Sequence, residues 1–281
     1  MHIAFAVDRA YLAHALTALD SILDHHPSSE ITAWMLVDES VVISDRRFVH
    51  DYFGGRLVVN FLDAEPKDLS PCFGKSSHPS AGYISEAMYL RLQLPDLVPA
   101  DFDRVLYLDA DVLCTNSGLS ELYRIDMNDK TIAAVRDATT RRLIDNDGVP
   151  DIERFPEFDP QAPYFNSGVL LIDTKKWRSR NVRARCEDYL NQSTRRRFPD
   201  QDALNVACYD DWFRLNKRWN HLRSNRLDTY QGNHLDEAVI VHFNSTIKPW
   251  HPQFPEGHRL DLYRRYRASV DEARSRFDSR A

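Results

Sequence analysis

Arg104-Val-Leu-Tyr-Leu-Asp109-Ala-Asp111 joins an apolar, β-branched run directly to two carboxylates one residue apart. The pattern predicts a buried strand that delivers both acids at its C-terminal end. Open α/β sheets bind their ligands at that edge. Two hard anionic oxygen donors there suit Mg²⁺ or Mn²⁺, ions that also take phosphate oxygens from a substrate. Metal-dependent chemistry on a phosphorylated substrate follows from that pairing. Capping a turn is the other common use of an Asp-x-Asp, so neighbouring segments must decide between the two.

Around this stretch, apolar runs alternate with helical periodicity. Strands are predicted over residues 3–7, 31–37, 56–62, 105–108, 131–135, 169–172 and 239–243, and helices over 12–23, 85–94 and 182–190, the second of these ending before Pro95. Strands separated by helices require crossovers, which gives an α/β class with a mainly parallel sheet. One domain over residues 1–250 and a helical tail over 251–281 account for the whole chain. Residues 70–82 and 145–163 read as long, turn-rich loops, expected to close over a ligand and to build a second substrate site. No Gly-x-Gly-x-x-Gly and no Walker loop follows the first strand, and the chain has nine glycines in all. Phosphates must therefore be neutralised by side chains rather than by a glycine cradle.

At 281 residues and 43% hydrophobic content the chain can bury a sizeable core. A net charge of −6 gives no global attraction to nucleic acid. Cys72, Cys114, Cys186 and Cys208 are scattered without a Cys-x-x-Cys pair, so they read as reduced thiols. The N-terminus runs straight into a strand pattern with no basic leader, and no apolar run reaches the length of a membrane span. A cytoplasmic protein is expected.

Ala238-Val-Ile-Val-His242 ends a second apolar run on an imidazole, and Lys248 follows six residues later. Imidazole can complete a manganese shell begun by Asp109 and Asp111, and an ammonium can neutralise a phosphate. A satisfied core histidine is the competing use of His242.

Six ordered segments within residues 1–251 carry a family resemblance: Phe5-Ala-Val-Asp8, Tyr89-Leu-Arg91-Leu, Leu106-Tyr-Leu-Asp109-Ala-Asp111, Tyr164-Phe-Asn166-Ser-Gly168-Val-Leu-Leu-Ile, Asp200-Gln201-Asp202-Ala-Leu-Asn205 and His242-Phe-Asn-Ser-Thr-Ile-Lys248-Pro-Trp250. The chain resembles the retaining glycosyltransferases that include bacterial lipopolysaccharide galactosyl- and glucosyltransferases and glycogenin. The resemblance implies the GT-A fold. It also implies transfer of a hexose, galactose or glucose, from a UDP-sugar to a glycan, a lipid-linked saccharide or another hydroxyl acceptor. A non-catalytic nucleotide-sugar or glycan-binding module on the same fold is the alternative.

Position by position, the resemblance makes Asp109, Asp111 and His242 the ligands of Mn²⁺ or Mg²⁺, with Ala110 between the acids at the donor site. It places Asp8 and Tyr11 at the uridine, Arg91 and Asp200 at the sugar hydroxyls, Asn166 and Ser167 along the other side of the sugar, and Lys248 at the diphosphate. Gln201 falls opposite the reacting carbon, with Asp202 as the fallback nucleophile. Read without the family, Tyr11 would pack in a first helical turn, Arg91 would be a surface charge, and Asp200-Gln201-Asp202 would open a helix after Pro199. Two positions depart from the family pattern: Ser245 stands where a glycine is usual, and Ala10 where an asparagine precedes the tyrosine. Ser245 is the feature that raises the non-catalytic alternative.

In the tail, Tyr263, Tyr266, Val270, Ala273 and Phe277 recur at helical spacing among arginines. Such a helix either docks on its own domain or lies on a membrane surface, the inner face in a cytoplasmic protein. Acids at Asp271, Glu272 and Asp278 dilute the charge and favour docking.

Overall fold

The computed structural model describes residues 1–64, 86–193, 197–222 and 237–280. Strand β1 (His2–Val7), helix α1 (Arg9–His25), β2 (Thr32–Val37), α2 (Ile43–Phe53) and β3 (Val58–Asp63) open the chain. A 3₁₀ helix (Glu86–Gln93) then runs into α3 (Leu94–Leu97), followed by β4 (Arg104–Leu108), β5 (Val112–Cys114), α4 (Leu119–Arg124), β6 (Ile132–Arg136) and β7 (Phe165–Asp173). The rest comprises α5 (Thr174–Ser179), α6 (Val182–Gln192), α7 (Pro199–Ala207), β8 (Trp212–Leu215), β9 (His221–Leu222), β10 (Ile240–His242) and α8 (His258–Asp278).

Among the described residues, seven strands form one sheet in the order β3-β2-β1-β4-β7-β6-β8. All of its pairings are parallel except those of β7, which runs antiparallel to both β4 and β6. Alternation along β4 shows how both faces are covered. Leu106 and Leu108 enter the core shared with α1 and α2, whereas Val105 and Tyr107 enter the core shared with the 3₁₀ helix, α6 and α7. Both layers are apolar, which is why the strands read as nearly continuous apolar runs. A smaller sheet, β5-β10-β9, stands at the end of β4.

Two expectations change. The segment expected to be helical until Pro95 is 3₁₀ over Glu86–Gln93, and Pro95 lies in the first turn of α3, where a missing N–H costs nothing. The strand expected over 169–172 begins at Phe165, because antiparallel pairing with β6 resumes beyond a register shift at Ala134/Val135. Helices α2, α4 and α5 and strands β5, β8 and β9 lie outside the elements expected from sequence. Residues 70–82 lie outside the described residues. The other long segment, 145–163, carries a 3₁₀ turn at Ile152–Arg154 and buries Val149 and Ile152 in the core beneath it.

Helix α8 turns its apolar stripe inward. Leu260, Tyr263, Tyr266 and Val270 are buried, and Ala273 and Phe277 pack on the α1–α2 core. Tyr266 donates to Asp24 at 2.8 Å, and Arg274 pairs with Asp45 at 2.9 Å. The stripe is therefore spent on the protein itself, which leaves a charged outer face rather than an apolar one for any membrane. Among the described residues no helix is long and apolar enough to cross a bilayer. Leu260 shares a core with Val241 and Phe243 of the histidine-bearing segment. Leu260→Ala should lower the free energy of unfolding by about 2–5 kcal/mol in lipid-free buffer. Denaturant titration measures this, and a loss below about 0.5 kcal/mol, the size of a surface substitution, would show that α8 does not share that core.

Candidate active site

Strand order fixes where the acids meet. β1 and β4 are parallel, so Asp8 and Asp109 leave the sheet at the same edge. Antiparallel β7 begins at that edge, and Gly168 accepts the Asp109 N–H at 2.8 Å. β10 pairs with β5 so that His242 lies opposite Val112, and Phe243 N–H donates to the Asp111 carbonyl at 2.9 Å. One ligand atom each from Asp109, Asp111 and His242 then lies within 4.8 Å of the others. His242 Nε2 is 3.2 Å from Asp111 Oδ1 and 3.7 Å from Asp109 Oδ2.

The opposite oxygen of each carboxylate is already taken. Lys248 Nζ sits 2.5 Å from Asp111 Oδ2, while Arg91 Nη2 and the Tyr107 hydroxyl reach Asp109 Oδ1 at 2.9 and 2.8 Å. Each acid thus spends one oxygen on the protein and turns the other toward the imidazole. Two carboxylate oxygens and one imidazole nitrogen converging in this way fit a divalent ion such as Mn²⁺. Gly168 leaves room for the cluster: a Cβ there would stand 2.2 Å from His242 Cε1 and 2.6 Å from Asp109 Oδ2.

Burial and charge oppose each other here. Burial would raise the Asp111 carboxyl, but Lys248 and His242 outweigh it and hold Asp111 well below the usual range. Arg91 is largely withdrawn from solvent, which by itself lowers its pKa, yet Asp109 and Asp200 more than offset this and raise it, so the guanidinium stays charged. It pairs with Asp200 at 3.1 Å, lies 4.8 Å from the Tyr107 ring centre and donates to the Ser167 carbonyl and hydroxyl at 3.3 Å. Desolvation nevertheless raises the Asp200 carboxyl above its ordinary value.

A cavity of about 400 Å³ opens over this edge. Asp8, Tyr11, Arg91, Asp109, Ala110, Asp111, Asn166, Ser167, Asp200, Gln201, His242, Ser245 and Lys248 all line it; Asp202 does not. A model of glycosyl transferase family 8 matches residues 2–253. The chain belongs to that family. Its fold is GT-A: the galactosyltransferase LgtC, solved in complex with donor and acceptor sugar analogs, superposes with a TM-score of 0.77 at 26% identity, covering 97% of this chain and 96% of that one. General stress protein A of Bacillus subtilis is 28% identical over 94% of this chain and 92% of its own length. A lipopolysaccharide 1,2-glucosyltransferase of Escherichia coli is 24% identical over 89% of this chain and 73% of its own.

Helix α7 presents Gln201 to the cavity of this family 8 protein with a fixed orientation. The Gln201 Oε1 accepts the Ser167 N–H at 2.9 Å, and its Nε2 donates to the Tyr164 hydroxyl at 3.1 Å. That hydroxyl donates in turn to Asp202 Oδ1 at 2.8 Å. Asp202 is fully buried behind the cavity wall, where it also accepts the Phe198 N–H, and burial pushes its carboxyl up to about 8. Ser245 donates to the Ile247 carbonyl at 2.8 Å, so its hydroxyl proton serves its own turn. Tyr11 meets Trp250 edge-on at 5.8 Å, and Asp8 caps α1 by accepting the Tyr11 N–H.

Sequence reasoning missed Asp137, Thr139, Thr140 and Asp147, which also line the cavity. Asp137 follows β6 at the same sheet edge, so the strand-end rule that found Asp109 applied to it as well. Asn220 lies outside the cavity, and no motif marks it.

Two outcomes follow from this geometry. Gly168→Ala should weaken divalent-cation binding by about 10–100-fold, the usual cost of disturbing an outer-shell contact. Calorimetric titration with Mn²⁺ checks this, and an unchanged isotherm would mean the cluster yields to a methyl group. Asp202 keeps its proton when folded up to about pH 8, whereas unfolded it releases the proton near 4. The folded state therefore binds more protons across that window, and this residue's contribution to stability falls as pH rises from 4 to 8. Asp202→Asn removes that loss, so the variant should gain on the wild type between pH 5 and pH 8 in urea unfolding; a difference independent of pH would refute the burial-raised carboxyl.

Proposed function

We propose that this protein transfers a hexose, galactose or glucose, from a UDP-sugar to a hydroxyl of a glycan or lipid-linked saccharide in the cytoplasm, with retention of anomeric configuration. The observation that carries the reading is the set of atoms turned toward one point: Asp109 Oδ2, Asp111 Oδ1 and His242 Nε2, with Lys248 beside them. These three residues would hold Mn²⁺, or Mg²⁺ in its place, and the ion would supply Lewis-acid stabilisation of the departing diphosphate. The glucosyl- and galactosyltransferases among the similar proteins support a hexose donor.

The protein's own groups do the rest. Lys248 places a positive charge where the diphosphate gathers negative charge as the sugar leaves. Asp8 and Tyr11, at the far side of the strand edge, receive the uridine. Arg91 and Asp200 form a buried charged pair that reads sugar hydroxyls, with Asn166 and Ser167 on the opposing wall. Gln201 is a poor nucleophile, so attack by the acceptor on the same face as the leaving group is favoured over a covalent intermediate. Its oxygen faces the Ser167 side of the cavity and stabilises positive charge at the reacting carbon. Asp202 holds the Tyr164 hydroxyl that fixes the Gln201 amide, and only a large rearrangement would let it act as a nucleophile.

The test combines binding and turnover. Thermal unfolding with a panel of nucleotide-sugars should show stabilisation by UDP-galactose or UDP-glucose that requires Mn²⁺, about 2.7 kcal/mol at a hundredfold excess over Kd. Asp111→Asn should lose both that stabilisation and sugar transfer while keeping its fold. A variant that retains manganese-dependent transfer would remove Asp111 from the metal shell. Stabilisation of the wild type without turnover on any saccharide acceptor would instead support a binding module. The anomeric coupling constant of the product decides retention.

A further inference from the structure

His242 can bind a cation through Nε2 only if its other nitrogen keeps the ring proton, and a buried chain of amides lies behind that nitrogen. His242 Nδ1 lies 3.0 Å from Asn220 Oδ1. Asn220 Nδ2 donates to Asn166 Oδ1 at 2.8 Å, and Asn166 Nδ2 donates to Asp137 Oδ2 at 3.2 Å. All four side chains are buried.

The direction of this chain is not free. The Asn166 amide turns its NH₂ toward Asp137 Oδ2, an oxygen placed to accept it. Asp137 is held as the acceptor of the Thr139 and Thr140 N–H groups, at 2.9 and 3.0 Å on its other oxygen. The Gly168 N–H, donating to Asn166 Oδ1 at 3.0 Å, requires the same orientation. Asn166 Oδ1 therefore faces Asn220, Asn220 must present its NH₂ there, and its own oxygen is left facing His242. An oxygen in that place accepts only from Nδ1–H.

Reversing the imidazole proton would set acceptor against acceptor at 3.0 Å. Turning Asn220 to relieve that contact would oppose two oxygens at 2.8 Å, and turning Asn166 as well would bring its oxygen to Asp137 and its NH₂ to the Gly168 N–H. A single change of tautomer cannot be absorbed locally.

We infer that Asp137, Asn166 and Asn220 form a positioning relay that pins the ring proton of His242 on Nδ1 and so keeps Nε2 available as a metal ligand. Asn220 is its key member, because it touches the histidine and has no place in the cavity wall. The relay rests on the reading of Asp109, Asp111 and His242 as a metal site. It adds to that reading a role for two residues, Asp137 and Asn220, that no motif assigns.

Long-range ¹H–¹⁵N spectra of the metal-free protein, with histidines labelled and His242 assigned by substitution, report which ring nitrogen carries the proton. In the wild type Nδ1 should be protonated whether the ring is charged or neutral. In Asn220→Ala the neutral ring should move its proton to Nε2, where Asp111 Oδ1 accepts it, and Mn²⁺ affinity measured by calorimetry should fall about 10–100-fold. Asn220→Asp still offers an acceptor to Nδ1–H and should restore the Nδ1 proton, while its second oxygen, set against Asn166 Oδ1, gives up the Asn166 contact. A neutral wild-type ring protonated on Nε2 alone would overturn the relay. So would a folded alanine variant with the wild-type tautomer and affinity. Where the alanine variant does not fold, the wild-type spectrum decides. A wild type that carries the Nδ1 proton yet binds no Mn²⁺ would sink the metal reading and leave the relay standing.

Discussion

Two carboxylates set down together at a buried strand end repel each other and lose hydration, and most of the cleft answers that demand. Arg91 reaches Asp109 from the 3₁₀ helix, and Lys248 reaches Asp111 from the segment after β10. Each cation has a second anchor, the Ser167 carbonyl for Arg91 and the Phe243 carbonyl for Lys248, so neither is free to follow its partner elsewhere. Fixed cations fix the carboxylate rotations. The unspent oxygens are therefore aimed before any ion or substrate arrives, which is the preorganisation that electrostatic catalysis requires.

The backbone supplies what side-chain charge cannot. Antiparallel β7 in an otherwise parallel sheet brings Asn166, Ser167 and Gly168 to the same edge as Asp109, next to a register shift against β6. Irregular pairing of this kind re-aims side chains beside active sites. Here it directs Asn166 toward Asp137 and Asn220, Ser167 toward Arg91 and Gln201, and leaves a bare Cα where the imidazole and a carboxylate pass.

The C-terminal helix belongs to this arrangement although it carries none of the chemistry. His14 of α1 stacks on Trp250 at 3.6 Å and meets the Tyr263 hydroxyl of α8 at 2.5 Å. Burial, with Arg267 close by, pushes its pKa down to about 3, so the ring stays neutral and packs as an aromatic. Trp250 lies two residues beyond Lys248 and against Tyr11, so α8 braces the cavity at both of these residues. An amphipathic stripe that by itself suits a membrane surface is accounted for by this docking.

The sequence alone determined the α/β class, the strand that carries Asp109 and Asp111, and the family, because each of these is written in local periodicity or in short ordered motifs. A buried parallel strand must be apolar throughout, and an acid just past its end has no core to enter. The expected site residues all line one cavity except Asp202, whose neighbour Gln201 faces inward while Asp202 turns to the core, a distinction of helical phase that a tripeptide does not reveal. Tertiary structure alone decided which oxygen of each carboxylate is spent on Arg91 or Lys248, which way the Gln201 amide points, and that Asp137 and Asn220 stand behind His242. These depend on hydrogen-bond direction between residues tens of positions apart, and a chain read in order contains no record of that direction until the sheet edge brings donor and acceptor together.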